Sequence, residues 1–177
     1  THLTGHPPGA LLFFIGLVAI GLGGNYAAGI VVTVIAATIA PAVMITLRTL
    51  DREEFARRAA PFLVLTPAAI FMAVSADAMF TAVAAWGMVC LALSATRERT
   101  GPMIGWSIGA GLLLGYCVML SYGLPLLGIL AVAILLAART WRPLPGAVLA
   151  ALAVVLVFAA YGFRWWEAYP VLRERYY

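Results

Sequence analysis

Few side chains in this 177-residue chain are equipped for chemistry. Asp77 is the one acidic residue set among the long apolar runs, and an ionisable group there marks a functional site because its desolvation must be compensated. In Ser75-Ala76-Asp77-Ala78 the same oxygens also suit a helix N-terminus, where they accept backbone N–H bonds and favour the dipole. A simple cap is therefore the competing reading. His6 precedes Pro7-Pro8, where a neutral imidazole could hydrogen-bond a phosphate or hydroxyl, or bind a metal; the plain alternative is a surface histidine before a helix. His2 lies four residues earlier, the spacing of two ligands on one helix face, but the prolines argue against a helix there and no metal site is assigned. In Phe163-Arg164-Trp165-Trp166-Glu167, Arg164 could meet a phosphate while Trp165 or Trp166 stacks on a sugar ring. An aromatic pair beside Arg is equally the composition of a membrane-interface belt. Cys90 and Cys117 fall inside apolar runs and read as buried free thiols.

The elements that must hold these residues follow from composition. With 64% hydrophobic and 10% charged residues and a mean hydropathy of +1.03, the chain lacks the charged exterior of a soluble domain, roughly a quarter of its residues. Lipid is the expected solvent, and the net charge of +4 is no nucleic-acid signal. All eleven basic residues are Arg and Ala is abundant, a bias of GC-rich, actinobacterial-like genomes.

Crossing a hydrocarbon core of roughly 30 Å takes about 20 helical residues, and backbone groups in lipid must be satisfied internally. The expected fold is all-α: a polytopic transmembrane helical bundle of about six spans near 26–48, 59–75, 77–96, 103–121, 123–138 and 145–162. Eight of the eleven Arg lie in three clusters, Arg48 to Arg58, Arg97 to Arg99 and Arg139 to Arg142. Short Arg-rich loops stay on the cytoplasmic side. The junctions at 75–77, at 121–123 and after 162 then lie outside, and parity makes the run 7–24 an interfacial helix on the outer face rather than a span. Pro67 should kink or split its run. Small residues at helical spacing, Gly105, Gly109 and Gly115 or Ala82, Ala85 and Gly87, are expected to let helices approach closely. The whole chain reads as a single transmembrane domain without repeats, and as a fragment of a longer protein because it opens at Thr1 and stops soon after a polar segment begins.

His6-Pro7-Pro8-Gly9 leading into an outer helix, the Gly23 to Asn25 break, the Ala60 to Val74 run ending in Ser75-Ala76-Asp77-Ala78, and the Gly105 to Leu120 run entering Ser121-Tyr122-Gly123-Leu124-Pro125 form an order. Over residues 10 to 125 this order resembles the C-superfamily of membrane glycosyltransferases, near the protein mannosyltransferase and aminoarabinose transferase branch. The resemblance implies an enzyme of the cytoplasmic (inner) membrane that moves a sugar from a polyprenyl-phosphate donor to an envelope glycan, lipid or protein acceptor, with its site on the extracytoplasmic face. Asp77 and His6 would support catalysis, the main base lying in an outer loop upstream of Thr1. Ser75, Tyr122, Arg164, Trp165 and Trp166 would bind substrate. Tyr122 departs from the many relatives that carry a basic residue there, which moves phosphate binding to other cations such as Arg164. A divalent metal is compatible with the family, though no cluster here calls for one. The alternative is a non-enzymatic multi-pass protein, a transporter or flippase subunit for lipid intermediates, expected to show paired broken helices and an internal repeat.

Overall fold

The computed structural model describes residues 7–66, 75–164, 166, 167 and 170. All regular structure among them is helical: α1 Gly9–Ala19, α2 Asn25–Ala37, α3 Ile39–Thr49, α4 Glu53–Val64, α5 Ala76–Thr96, α6 Thr100–Val118, a 3-10 turn Leu124–Leu127, α7 Gly128–Ala137 and α8 Leu144–Ala160. Among the described residues, three stretches are long and apolar enough to cross a membrane: Asn25–Thr49, Ala76–Thr96 and Thr100–Val118. They match the expected spans 26–48, 77–96 and 103–121.

The other expected spans come out shorter or fall partly outside the described residues. The run 123–138 is a four-residue 3-10 turn plus a ten-residue helix. The run 145–162 is the 17-residue α8, roughly 25 Å at about 1.5 Å per residue. The run 59–75 is described over 59–66 and at Ser75, and its helix α4 starts earlier, with Glu53 and Glu54 in its first turn; Pro67 lies outside the described residues. α1 has 11 residues, roughly 16 Å at about 1.5 Å per residue, too short to cross alone.

α2 and α3 form one span with a break at Thr38. Pro41 supplies the cause, because it has no N–H for the Ala37 carbonyl and its ring crowds that group. The turn is steadied by the Thr38 hydroxyl, which donates to Ile35 O at 2.6 Å and accepts from Trp86 Nε1 on α5 at 3.0 Å. α1, α3, α7 and α8 all end in the same motif, a left-handed residue whose neighbours bond back to the last turn. Gly21 (φ 82) and Gly162 (φ 96) fill two of these positions, and Asp51 (φ 58) and Arg139 (φ 53) the other two.

α5 is the central helix, buried along most of its length. It packs on α2, α3, α6 and α7, while α6 also carries α8. Association of helices in lipid rests on van der Waals packing and interhelical hydrogen bonds, and both are seen. Ser107, Gly111 and Gly115 form a small-residue stripe on α6. A Cβ at Gly111 would meet the Ala147 carbonyl oxygen of α8, one at Gly115 would stand 2.8 Å from Ala151 Cα, and one at Gly146 2.5 Å from Ser107 Oγ. Ser107 Oγ donates to Pro143 O at 2.5 Å, and Ser94 Oγ ties α5 to Met103 O at 2.8 Å. Gly105, expected in this seam, meets nothing within 4 Å, and Gly109 only Cys90 at 3.7 Å. The seam is offset from the repeating glycines because Ser107, not a glycine, begins it.

These contacts fix direction. α6 and α8 run parallel, since 107, 111 and 115 meet 143–146, 147 and 151 in order; α5 runs opposite to α6, with Gly87 against Leu114 and Ser94 against Met103. α3 runs along α5, with Thr38 against Trp86 and Leu50 against the cluster of Met88, Leu91 and Ala92, so all three Arg clusters lie at one end of the bundle. The opposite end holds Pro7 to Gly9, Asn25, Ser75 to Asp77, Met119 to Leu127 and Tyr161 to Arg164.

Candidate functional site

The end opposite the Arg clusters gathers most of the sequence-derived candidates. α1 enters it through Pro7, which is fully buried, and Gly9, whose N–H donates to Met119 O at 2.8 Å. Tyr116 Oη donates to Gly9 O at 2.8 Å. The first amide of α1 and the last carbonyl of α6 are groups that helix ends leave unpaired, and here each satisfies the other. A Cβ on Gly9 would run into the Met119 carbonyl oxygen, so the approach needs glycine. Ala10, Phe13 and Phe14 of α1 then pack with Ala76, Ala78 and Phe80 of α5 and with Leu120 and Leu124 around the turn after α6. The segments flanking Asp77 and Tyr122 thus share one apolar cluster beneath this end.

Ser75, not Asp77, caps α5: its hydroxyl accepts from the Asp77 N–H at 3.2 Å. The Asp77 side chain is exposed in the first turn of the helix, a carboxylate at the helix mouth. There the helix dipole favours its charge, and Thr81 Oγ1 bonds back to Asp77 O at 2.8 Å. Tyr122 is half-buried, and that burial pushes its phenol above its ordinary value. At neutral pH it is an uncharged hydroxyl, unable to act as the cation that the family pattern places there.

Arg164 follows α8 at the same end, exposed, with its guanidinium donating to Glu167 Oε1 at 2.9 Å. That hydrogen bond and the carboxylate's charge raise the guanidinium further above its already high ordinary value, so it remains a cation. A phosphate would have to displace or share Glu167, a partner that the three-residue spacing could have shown. Trp166 is 52% exposed. His2, His6 and Trp165 lie outside the described residues. Tyr116 is the residue that sequence reasoning passed over, although it is the one phenol inside the Gly-rich α6.

Among the described residues there is no group of three His, Cys, Asp or Glu placed to hold a metal. Cys90 and Cys117 are buried free thiols. Two grooves lie elsewhere: one on α2 around Gly29 and Thr33, the other between α3, α5 and α7.

No family model, curated protein or solved structure matches this chain. Its geometry therefore stands alone: a polar end with an exposed carboxylate, a neutral phenol and an ion-paired arginine, set on a bundle whose far end is rich in Arg.

Proposed function

We propose that the chain is part of an integral membrane glycosyltransferase that takes a sugar from a polyprenyl-phosphate donor and passes it to a cell-envelope acceptor on the outer face of the cytoplasmic membrane. The observation that carries this reading is the convergence of the Pro7–Gly9 segment, Asp77 and the Tyr122 turn at the end opposite the Arg clusters. These are the segments whose order in the sequence resembles the family. With the Arg clusters on the cytoplasmic side, that end faces outward and α1 lies in the outer interface.

Transfer requires a base to activate an acceptor hydroxyl and cations to stabilise the phosphate leaving group. In this reading Asp77 and His6 orient the acceptor. Ser75 fixes the turn that presents Asp77, Tyr122 donates to a phosphate or sugar oxygen, and Arg164 with Trp165 and Trp166 receives the donor headgroup. The resemblance assigns the principal base to an outer loop preceding the matched region.

The break at Thr38 within the Asn25–Thr49 span favours the second reading, a transporter or flippase subunit, since such proteins build sites at discontinuous helices. Transfer of radiolabelled sugar from a polyprenyl-phosphate donor by membranes containing the protein separates the two. The enzyme reading expects transfer, reduced by about 10² or more in Asp77→Asn, the scale of one positioned catalytic group. Absence of transfer alongside protein-dependent movement of the lipid between leaflets would favour the transporter.

A further inference from the structure

The groove between α3, α5 and α7 has a volume of about 430 Å³ and is lined by Val43, Leu47 and Leu50 on α3, Ala84 on α5, and Leu130 and Ile134 on α7, among others. Its two hydroxyl groups are already committed within their own helices: Thr46 Oγ1 bonds to Ala42 O at 3.0 Å and Thr81 Oγ1 to Asp77 O at 2.8 Å. The groove therefore offers no free hydrogen-bonding side chain, and its chemistry selects hydrocarbon.

One end of this groove opens toward the Arg clusters. Arg48 follows Leu47, the Arg52 N–H bonds to Leu47 O at 2.9 Å, and the Arg139 N–H bonds to Leu136 O at 3.1 Å, one turn beyond Ile134. The side chains of Arg48, Arg52, Arg139 and Arg142 are exposed and form no ion pair among the described residues, where Arg57, Arg58 and Arg164 hold the salt bridges. Asp51 is the one carboxylate in the segments 48–52 and 139–142, against these four guanidinium groups. Arginine forks match phosphate geometry, and each basic residue near an anionic lipid surface adds about 1 kcal/mol of attraction.

We infer that this groove holds an acyl chain of an anionic phospholipid from the leaflet at the Arg end, with Arg48, Arg52 and Arg139 on its phosphate. Charge complementarity decides for this occupant over a second protein helix, because the mouth presents cations that hold no ion pair among the described residues and an anionic headgroup matches them. The site lies at the opposite end of the bundle from the proposed transfer site and does not depend on sugar transfer.

The test uses the full chain, reconstituted with equal amounts of phosphatidylglycerol and phosphatidylcholine, extracted in mild detergent and weighed intact with its retained lipid. Phosphatidylglycerol should be retained in preference to phosphatidylcholine. Arg48→Gln with Arg139→Gln should lower that retention about 30-fold, the loss of two attractions near the surface. Ala133→Leu, which fills the groove without touching a charge, should displace the lipid too. Equal retention of both lipids, or retention unchanged in either variant, overturns the inference, as would a wild-type dimer that Ala133→Leu dissolves. Contact of spin-labelled phosphatidylglycerol over phosphatidylcholine with the unmodified chain gives a second reading that no folding defect can imitate: preference supports the site and its absence overturns it.

Discussion

Asp77 and Ser75 divide between them what their sequence left joined. The Ser75 hydroxyl accepts the Asp77 N–H, so Ser75→Ala should cost about 1 kcal/mol, the usual value of a helix cap. Asp77→Asn gives up only the charge's attraction to the helix dipole, about 0.5 kcal/mol at an exposed site. Unfolding in detergent micelles followed by circular dichroism checks the ranking; a larger loss for Asp77→Asn would show a structural role that the geometry denies. Such a result would also undercut the use of this variant as a catalytic probe. Tyr116 makes a comparable point, since its hydroxyl is a direct bond between α6 and the start of α1. Tyr116→Phe should cost about 1 kcal/mol and raise amide hydrogen exchange in residues 9–19 while leaving α5 and α6 unchanged. Uniform loss of protection across the bundle would contradict that local role.

At the level of elements, the α6–α8 seam depends on where side chains are absent. Gly111 lies against the Ala147 carbonyl and Gly115 against Ala151 Cα, and neither neighbour is a side-chain end that could swing aside. Gly111→Val should therefore destabilise by about 2–3 kcal/mol, the scale of overpacking, and separate α8 from α6. Gly105 meets nothing within 4 Å, so Gly105→Ala should be neutral or stabilise by up to about 1 kcal/mol through helix propensity. Melting temperatures of the two variants should move in opposite directions or only the first should move; equal losses would place the seam elsewhere. The i,i+4 pairs of α4, Glu53 with Arg57 at 3.8 Å and Glu54 with Arg58 at 2.6 Å, are largely exposed. They add little to stability, whereas Ala56 is fully buried on a helix that packs against α3.

Across the whole molecule the division of charge is the dominant feature, with eight Arg at one end and Asp77, Tyr122 and Arg164 at the other. Cysteine introduced at the exposed Gly123 should react with an impermeant thiol reagent added outside intact cells, whereas cysteine at Arg97 or Arg52 should react only after the cells are opened. The native Cys90 and Cys117 are buried and should stay silent. Labelling of position 97 from outside would invert the orientation and move the proposed transfer site to the cytoplasmic face.

Composition alone pointed to helices apolar enough to cross a membrane, because backbone groups in lipid must be satisfied locally, and the described residues carry three such helices. The spans 26–48, 77–96 and 103–121 were legible because each is a long apolar stretch ended by Arg or by a polar turn. The runs at 123–138 and 145–162 were legible as helices ending near Arg139 and Gly162, whereas the 3-10 turn that opens the first and the left-handed backbone at Arg139 leave no mark in hydropathy. Only tertiary structure decided which small residues form the seam, that α6 and α8 run parallel, and that Gly9 docks on Met119. It also decided that Ser75 caps α5. Each of these depends on distances between segments far apart in the chain or on which of two adjacent oxygens turns inward, and a pattern of residue types carries neither.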